Sequence, residues 1–186
     1  MKIRNGFVSN SSSSSFIVAF PHKPKNEEDL KQMMFGKNDF HYVEKYYTDD
    51  KSGEISVWPI IRNVYKKIGK KATKKEIAEA LSHGGYNGYR GFDVPHMDFW
   101  ASLDDPEYTE IREMSISNKR AELLGKYNEK VYESNKKRGK KVADYFVSVN
   151  KGKYFVILWF SDNDGEAIEE HTDIFRRLEY IRVSCH

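Results

Sequence analysis

The spacing of hydrophobic positions changes along the chain, and this change predicts both strands and helices. A continuous apolar run at residues 16–20, closed by two nearby prolines, is typical of a buried strand. Apolar residues recur every three or four positions between residues 55 and 68, which predicts a helix. Two further helices are indicated by their first residues: Asn26 precedes an acidic turn, and Thr73 forms a capping box with Glu76.

The second half of the chain predicts one long helix followed by strands. The predicted helix begins at Asp104 or Asp105, carries an apolar stripe and ends near residues 136–139. Residues 144–149 alternate and residues 154–160 form a strong apolar run, which together indicate a β-hairpin. A last alternating segment closes the chain as a further strand.

These elements predict an α+β fold. We expect a small antiparallel sheet, made of the N-terminal strand plus a C-terminal meander, packed with three or four helices, one of them long. A chain of 186 residues is long enough for one domain with a real core, so a single domain over residues 1–186 is expected.

Composition narrows the class of protein. Aromatic residues make up 14% of the chain, which argues against global disorder. No apolar run is long enough for a membrane span and no secretory leader is present, so no membrane contact is expected. The single cysteine, Cys185, excludes an internal disulfide and a cysteine zinc site and fits a reducing cytoplasm, which is the host cytoplasm if the chain is phage-encoded.

Charge is nearly balanced at +3, but lysine is concentrated in the runs 66–75 and 136–141. A basic face of this kind can meet phosphates, so nucleic-acid binding is one hypothesis. The commoner meaning of such a run is a solvated helix face, and we favour it. The candidate basic patch consists of Lys66, Lys67, Lys70, Lys71, Lys137 and Arg138.

An acidic and histidine-containing segment near the C-terminus is the first candidate for chemistry. Carboxylate and imidazole groups are suitable ligands for a divalent metal ion. The sequence leaves such a metal open and predicts no other cofactor. The segment fails the full calcium-loop and zincin patterns, so a polar turn between strands is the favoured alternative. The candidate site residues are Asp162, Asp164, His171, Asp173 and His186.

A glycine- and aromatic-rich loop is the second candidate. Its glycines allow close approach to a phosphate, and its arginine can pair with one. The spacing matches neither the P-loop nor the dinucleotide fingerprint, so an aromatic loop packed over the core is favoured. The candidate ligand residues are His83, Arg90, Asp93 and His96.

Both ends of the chain carry distinctive segments. Residues 7–16 read Phe-Val-Ser-Asn-Ser-Ser-Ser-Ser-Ser-Phe, and residues 170–175 read Glu-His-Thr-Asp-Ile-Phe before a tail that ends in Ser-Cys-His. The pair resembles the ends of an uncharacterised family of bacteriophage and bacterial proteins. The resemblance implies an origin rather than a mechanism. Apolar flanks predict that the serine run is an anchored, ordered edge of the domain near the segment 171–186.

The absence of a complete catalytic motif leads to a first hypothesis of a non-enzymatic, phage- or mobile-element-type accessory protein that binds a macromolecule, with a host or phage protein as the expected partner. A metal-dependent phosphoester hydrolase or nuclease that uses the C-terminal histidines and aspartates is the alternative. Nucleic-acid binding through the lysine runs is a second alternative. The sequence does not indicate an oligomeric state.

Overall fold

A computed structural model describes residues 13–44, 52–82, 85–88, 106–161 and 164–185, and it confirms the α+β fold class. These residues contain six helices, more than the three or four expected, because the predicted long helix is divided into two and a short helix follows the strand before the last. In this part of the chain no helix is both long and apolar enough to cross a lipid bilayer.

The main sheet has four antiparallel strands in the order β4-β6-β1-β5. Strand β1 (Ser13–Phe20) pairs on one side with β5 (Tyr154–Ser161) and on the other with β6 (Glu179–Cys185), and β4 (Gly85–Gly88) pairs with β6. The expected C-terminal meander is therefore wrong, because β5 and β6 each pair with the N-terminal strand rather than with each other. The glycine-rich strand β4 was also missed, since its glycines predict irregular structure.

Strand β1 is buried on both faces. Its alternate residues Phe16, Val18 and Phe20 belong to one hydrophobic core, whereas Ile17 and Ala19 belong to a second core on the opposite face. A strand covered on both sides reads as a continuous apolar run, which explains the sequence pattern at these positions.

Three helices precede the long helix region, and the first and third of them begin at the predicted caps. The first core is covered by α1 (Glu27–Met34) and α2 (Val57–Lys67), and α3 (Lys74–Ala80) covers the second core. Asn26 accepts a hydrogen bond from the backbone of Asp29 at 2.9 Å, and both halves of the Thr73 capping box are formed. A two-stranded sheet of β2 (Phe40–Tyr42) and β3 (Glu54–Ser56) connects α1 to α2.

The predicted long helix is two helices. Helix α4 spans Pro106–Glu113, and α5 spans Asn118–Val149. Ser117 ends the connection between them because its side chain accepts a hydrogen bond from the backbone of Arg120 at 3.3 Å and caps α5. The two helices pack through the rings of Tyr108 and Tyr127, whose centroids lie 5.7 Å apart.

The strand and hairpin predicted at residues 144–153 are wrong, because α5 continues to Val149 and a turn leads directly into β5. Gly139, Ala143 and Phe146 are buried at helical spacing, and the Phe146 ring lies 5.8 Å from that of Phe155 in the second core. The alternation of apolar and polar residues at 144–149 concealed this longer period. A short helix, α6 (Ala167–His171), connects β5 to the turn before β6.

Gly139 lies inside α5 rather than at its end because α3 passes very close to it. A Cβ atom at this position would lie 3.1 Å from the carbonyl oxygen of Ala78 and 3.2 Å from the Cβ of Leu81. The absence of a side chain therefore sets the separation of α3 and α5. No other atom lies within 4 Å of a Cβ placed at Gly125, which occupies the same helix.

Gly139→Val should lower the free energy of unfolding by about 1–3 kcal/mol, because the branched side chain forces α3 and α5 apart. Gly125→Val is the matched control and should stay within about 0.5 kcal/mol of the wild type. Denaturant unfolding of the two variants measures the difference. Equal losses would show that helix propensity, not the approach of α3, dominates at Gly139.

Candidate functional site

A cleft of about 500 Å³ lies between α3 and α5. Four of its lining side chains are lysines, so we call it the lysine cleft. Its lining consists of Lys74, Lys75, Ala78, Glu79, Ser82, Tyr132, Lys136, Lys140 and Asp144.

The lysine cleft brings together residues from the two lysine-rich runs of the sequence. On α5, the lining residues Tyr132, Lys136, Lys140 and Asp144 are spaced four apart, so they form one stripe along the helix. The opposite wall is α3, which begins at Lys74. Because the helices meet closely at Gly139, the longer side chains on either side of that contact extend outward and form the walls of the cleft.

Positive charge predominates in the lysine cleft. Its four lysines face two carboxylates, Glu79 and Asp144, which leaves an excess of two positive charges. Lys74 pairs with Asp144 at 2.8 Å, and its hydrogen bond, together with the charge of Lys140, lowers the pKa of the Asp144 carboxyl.

The remaining lysines of the cleft differ in their contacts. The ammonium group of Lys136 lies 3.4 Å from the Glu133 carboxylate and 5.9 Å from the ring centroid of Tyr132. Lys75 and Lys140 form no ion pair with any residue in the described ranges, and both side chains are exposed. These two ammonium groups are therefore available to an anionic ligand.

A second group of charged side chains closes the outer edge of strand β5; we call Asn63, Lys67, Glu166 and Glu169 the edge cluster. Lys67 donates to the carbonyl oxygen of Trp159 at 3.0 Å and pairs with Glu166 at 2.7 Å. Glu166 and Ser161 form two hydrogen bonds, each 3.2 Å long. The backbone N–H of Ser161 donates to the Glu166 carboxylate, and the backbone N–H of Glu166 donates to the carbonyl oxygen of Ser161. These contacts occupy backbone groups that an edge strand otherwise offers to another chain.

Glu169 is one of the two buried acids of the edge cluster. It is 7% exposed, and its carboxylate accepts a hydrogen bond from the Asn63 amide at 2.9 Å. Burial raises the pKa of the Glu169 carboxyl, and the Asn63 hydrogen bond opposes the rise only in part. Folding therefore favours the protonated form of the Glu169 carboxyl over its ionised form.

Glu169→Gln should increase the free energy of unfolding at pH 7 by on the order of 1 kcal/mol, because the amide keeps the acceptor for Asn63 without a buried charge. The pKa of the Glu169 carboxyl is higher in the folded protein than its ordinary value of 4.5. Its stabilising contribution is therefore complete below about pH 4.5 and is lost as the pH rises through the pKa of the folded state. The advantage of the variant should thus shrink as the pH falls toward 4.5. Exposed Glu129→Gln is the control, and a pH-independent difference between Glu169→Gln and the wild type would contradict the prediction.

His41, in β2, is a buried histidine that the sequence did not single out. Its Nε2 atom lies 3.2 Å from the hydroxyl of Thr172, which donates its own proton to the carbonyl oxygen of Ile168 at 2.6 Å. The hydroxyl therefore accepts from His41, which assigns the ring proton to Nε2. Burial lowers the pKa of His41, the charge of Arg176 lowers it further, and Asp173 opposes them.

Because the native pKa of His41 is lowered, the unfolded chain binds a proton more readily than the folded protein below about pH 6.5. The free energy of unfolding should fall as the pH drops from 7 toward 5, by at most about 1.4 kcal/mol per pH unit for this one proton. His41→Gln keeps a donor toward Thr172 and cannot gain a proton. Thermal or chemical unfolding across this pH range should show a shallower decline for the variant, and parallel curves would contradict the assignment.

The predicted acidic and histidine site is described only in part. Asp162 and His186 lie outside the described residues, and so does the side chain of His171, the last residue of α6. Asp164 is exposed, and Asp173 accepts a hydrogen bond from the hydroxyl of Tyr180 at 2.7 Å. Among the residues that are described, no group of three histidine, cysteine, aspartate or glutamate side chains is positioned to hold a metal ion. The metal site stays a prediction.

The four candidate residues of the predicted ligand loop, His83, Arg90, Asp93 and His96, lie outside the described residues, whereas Gly85–Gly88 of the same segment form β4. The structure therefore adds nothing to the hypothesis of a phosphate-binding loop. That hypothesis also stays a prediction.

The predicted basic patch is distributed over three elements. Lys66 and Lys67 are in α2, and Lys67 belongs to the edge cluster. Lys70 and Lys71 are in the connection to α3, where Lys70 pairs with Glu76 at 2.9 Å. Lys137 and Arg138 are exposed on α5. None of the six lines the lysine cleft, which is built from neighbouring members of the same two runs.

The lysines of the cleft were identifiable in the sequence only by their helical spacing. Lys136 and Lys140 are four residues apart and follow Tyr132 by the same step, which is the pattern of one helix face. Their convergence with Lys74 and Lys75 depends on the packing of α3 against α5, and no local pattern reports that packing.

The last residues of the serine run lie in the centre of the sheet rather than at an edge. Ser13 is paired with Cys185 and Ser14 with Ser184, so this part of the run does lie beside the C-terminal segment, as predicted. Ser14 is fully buried, and its hydroxyl accepts hydrogen bonds from Nε and Nη2 of Arg182 at 3.2 and 3.1 Å. Ser14 therefore provides a hydrogen-bond acceptor for a partly buried guanidinium group.

Comparison of the chain with protein-family models found no match, and no curated protein or solved structure matches it either. The resemblance carried by the two terminal segments stays a prediction. The functional argument therefore depends on the geometry of the described residues.

Proposed function

We propose that this protein is a non-enzymatic binding protein that holds an acidic macromolecule in the lysine cleft. The observation that carries the proposal is the pair Lys75 and Lys140, which line the cleft from two different helices without an ion-pair partner in the described ranges. Two cations that converge on a recess attract an anion more strongly than the same cations scattered over a convex surface.

The composition of the cleft supports binding rather than catalysis. The described residues of its lining include no histidine or cysteine, the residues that most often exchange protons or attack substrates near neutral pH. Its side chains offer ionic attraction, hydrogen bonding and, through Tyr132, an aromatic ring. The resemblance of the two ends to phage and bacterial proteins supports an accessory role of phage or mobile-element type, exercised in the host cytoplasm.

Retention on immobilised heparin, a generic polyanion, tests the proposal. Lys75→Glu combined with Lys140→Glu should elute the full-length protein at clearly lower salt than the wild type, because two attractive charges become repulsive. The matched control combines Lys119→Glu with Lys151→Glu, two exposed lysines outside the cleft, and changes the net charge equally.

The control pair should elute later than the cleft pair. If both pairs elute together, retention follows net charge alone and the lysine cleft is not the binding site. Far-UV circular dichroism of each variant checks that the fold is retained.

A further inference from the structure

We infer that the acidic partner is a single strand of nucleic acid that lies along α5 in the lysine cleft. This inference depends on the proposed function, because it names the ligand of the same cleft. It follows from the shape of the cleft, the type of its cations and their spacing.

The shape of the cleft favours a single strand over a duplex as its ligand. Proteins that read double-stranded DNA insert a protruding helix or ribbon into a groove about 12 Å wide. The lysine cleft is instead a recess of about 500 Å³ between two helices, a volume typical of sites that surround small organic ligands. A single strand can place one or two nucleotides in such a recess, whereas a duplex contacts only its rim.

The cations of the cleft are compatible with phosphate. Among the described residues that line the cleft, the four basic side chains are all lysines. Lysine acts as a point charge and is a common ligand of phosphate oxygens, whereas arginine binds carboxylates and phosphates alike through two parallel hydrogen bonds. The choice of a nucleic acid over an acidic peptide therefore depends on the spacing of the lysines and on Tyr132.

The spacing along α5 matches an extended strand. Lys136 and Lys140 are one helical step of four residues apart, which corresponds to about 6 Å along the axis. A stacked strand carries one phosphate per 3.4 Å or so, and an unstacked strand carries them further apart. Successive phosphates of an extended strand can thus meet successive lysines of this helix face.

An aromatic ring stands at one end of this row of lysines. Tyr132 lines the cleft one step before Lys136 and is half-buried. Proteins that bind single strands combine a basic groove with aromatic rings on which bases stack. We therefore assign the phosphates to Lys75, Lys136 and Lys140 and a base to Tyr132.

Fluorescence anisotropy with the full-length protein tests the assignment. The probes are a labelled deoxythymidine strand of about 20 nucleotides, a duplex of the same length, a polyglutamate of similar length and an abasic strand with the same phosphates. We expect the deoxythymidine strand to bind at least about tenfold more tightly than the duplex or the polyglutamate at the same salt concentration.

Two variants separate the phosphate contacts from the base contact. Lys75→Gln with Lys140→Gln should reduce the slope of log affinity against log salt by about 1.4 for the single strand, because two phosphate contacts are lost. Lys119→Gln with Lys151→Gln should leave the slope unchanged. Tyr132→Leu should weaken binding of the deoxythymidine strand by about 5- to 100-fold and leave binding of the abasic strand unchanged. A merely structural role of Tyr132 would weaken both.

The outcomes distinguish the two proposals. If the duplex or the polyglutamate binds as tightly as the single strand and the cleft variant weakens that binding, the single-strand assignment is wrong and the acidic-partner proposal stands. If no probe responds to Lys75→Gln with Lys140→Gln, or if none binds, both proposals are wrong.

Discussion

Burial of strand β1 on both faces is the constraint on which the rest of the fold depends. The strand is hydrogen-bonded on each side, to β5 and β6, and its side chains alternate between two separate hydrophobic cores. Helices α1 and α2 cover one face, and α3 and α5 cover the other. Each helical layer therefore takes its position from the same eight residues of the N-terminal strand.

The lysine cleft is a consequence of that arrangement. Helices α3 and α5 pack on the same face of the sheet and come into close contact. Gly139 allows this contact because it has no side chain at the point where the helices meet. The helices then approach at that point, and the long side chains of their outer positions line a recess beyond it. The proposed anion site thus depends on a residue with no functional group of its own.

Local signals predicted much of the fold. The caps Asn26 and Thr73 were recognisable because an N-cap is satisfied by residues only three positions away. The end of α5 was mistaken for a strand because Phe146 and the residues around it alternate in polarity, while the contact that makes them helical, with Phe155, lies across the turn. The edge cluster was missed for the same reason: Asn63 and Glu169 are more than a hundred positions apart.

By itself, the sequence determined the α+β class, the strand at residues 16–20, the starts of α1 and α3 and the presence of two lysine-rich runs, because each depends on periodicity or on contacts within a few residues. Only the tertiary structure decided that β1 lies between β5 and β6, that Ser14 supports Arg182, and which lysines face each other. Those features join segments that are distant in the chain, and the burial of both faces of β1, rather than any local pattern, brings them together.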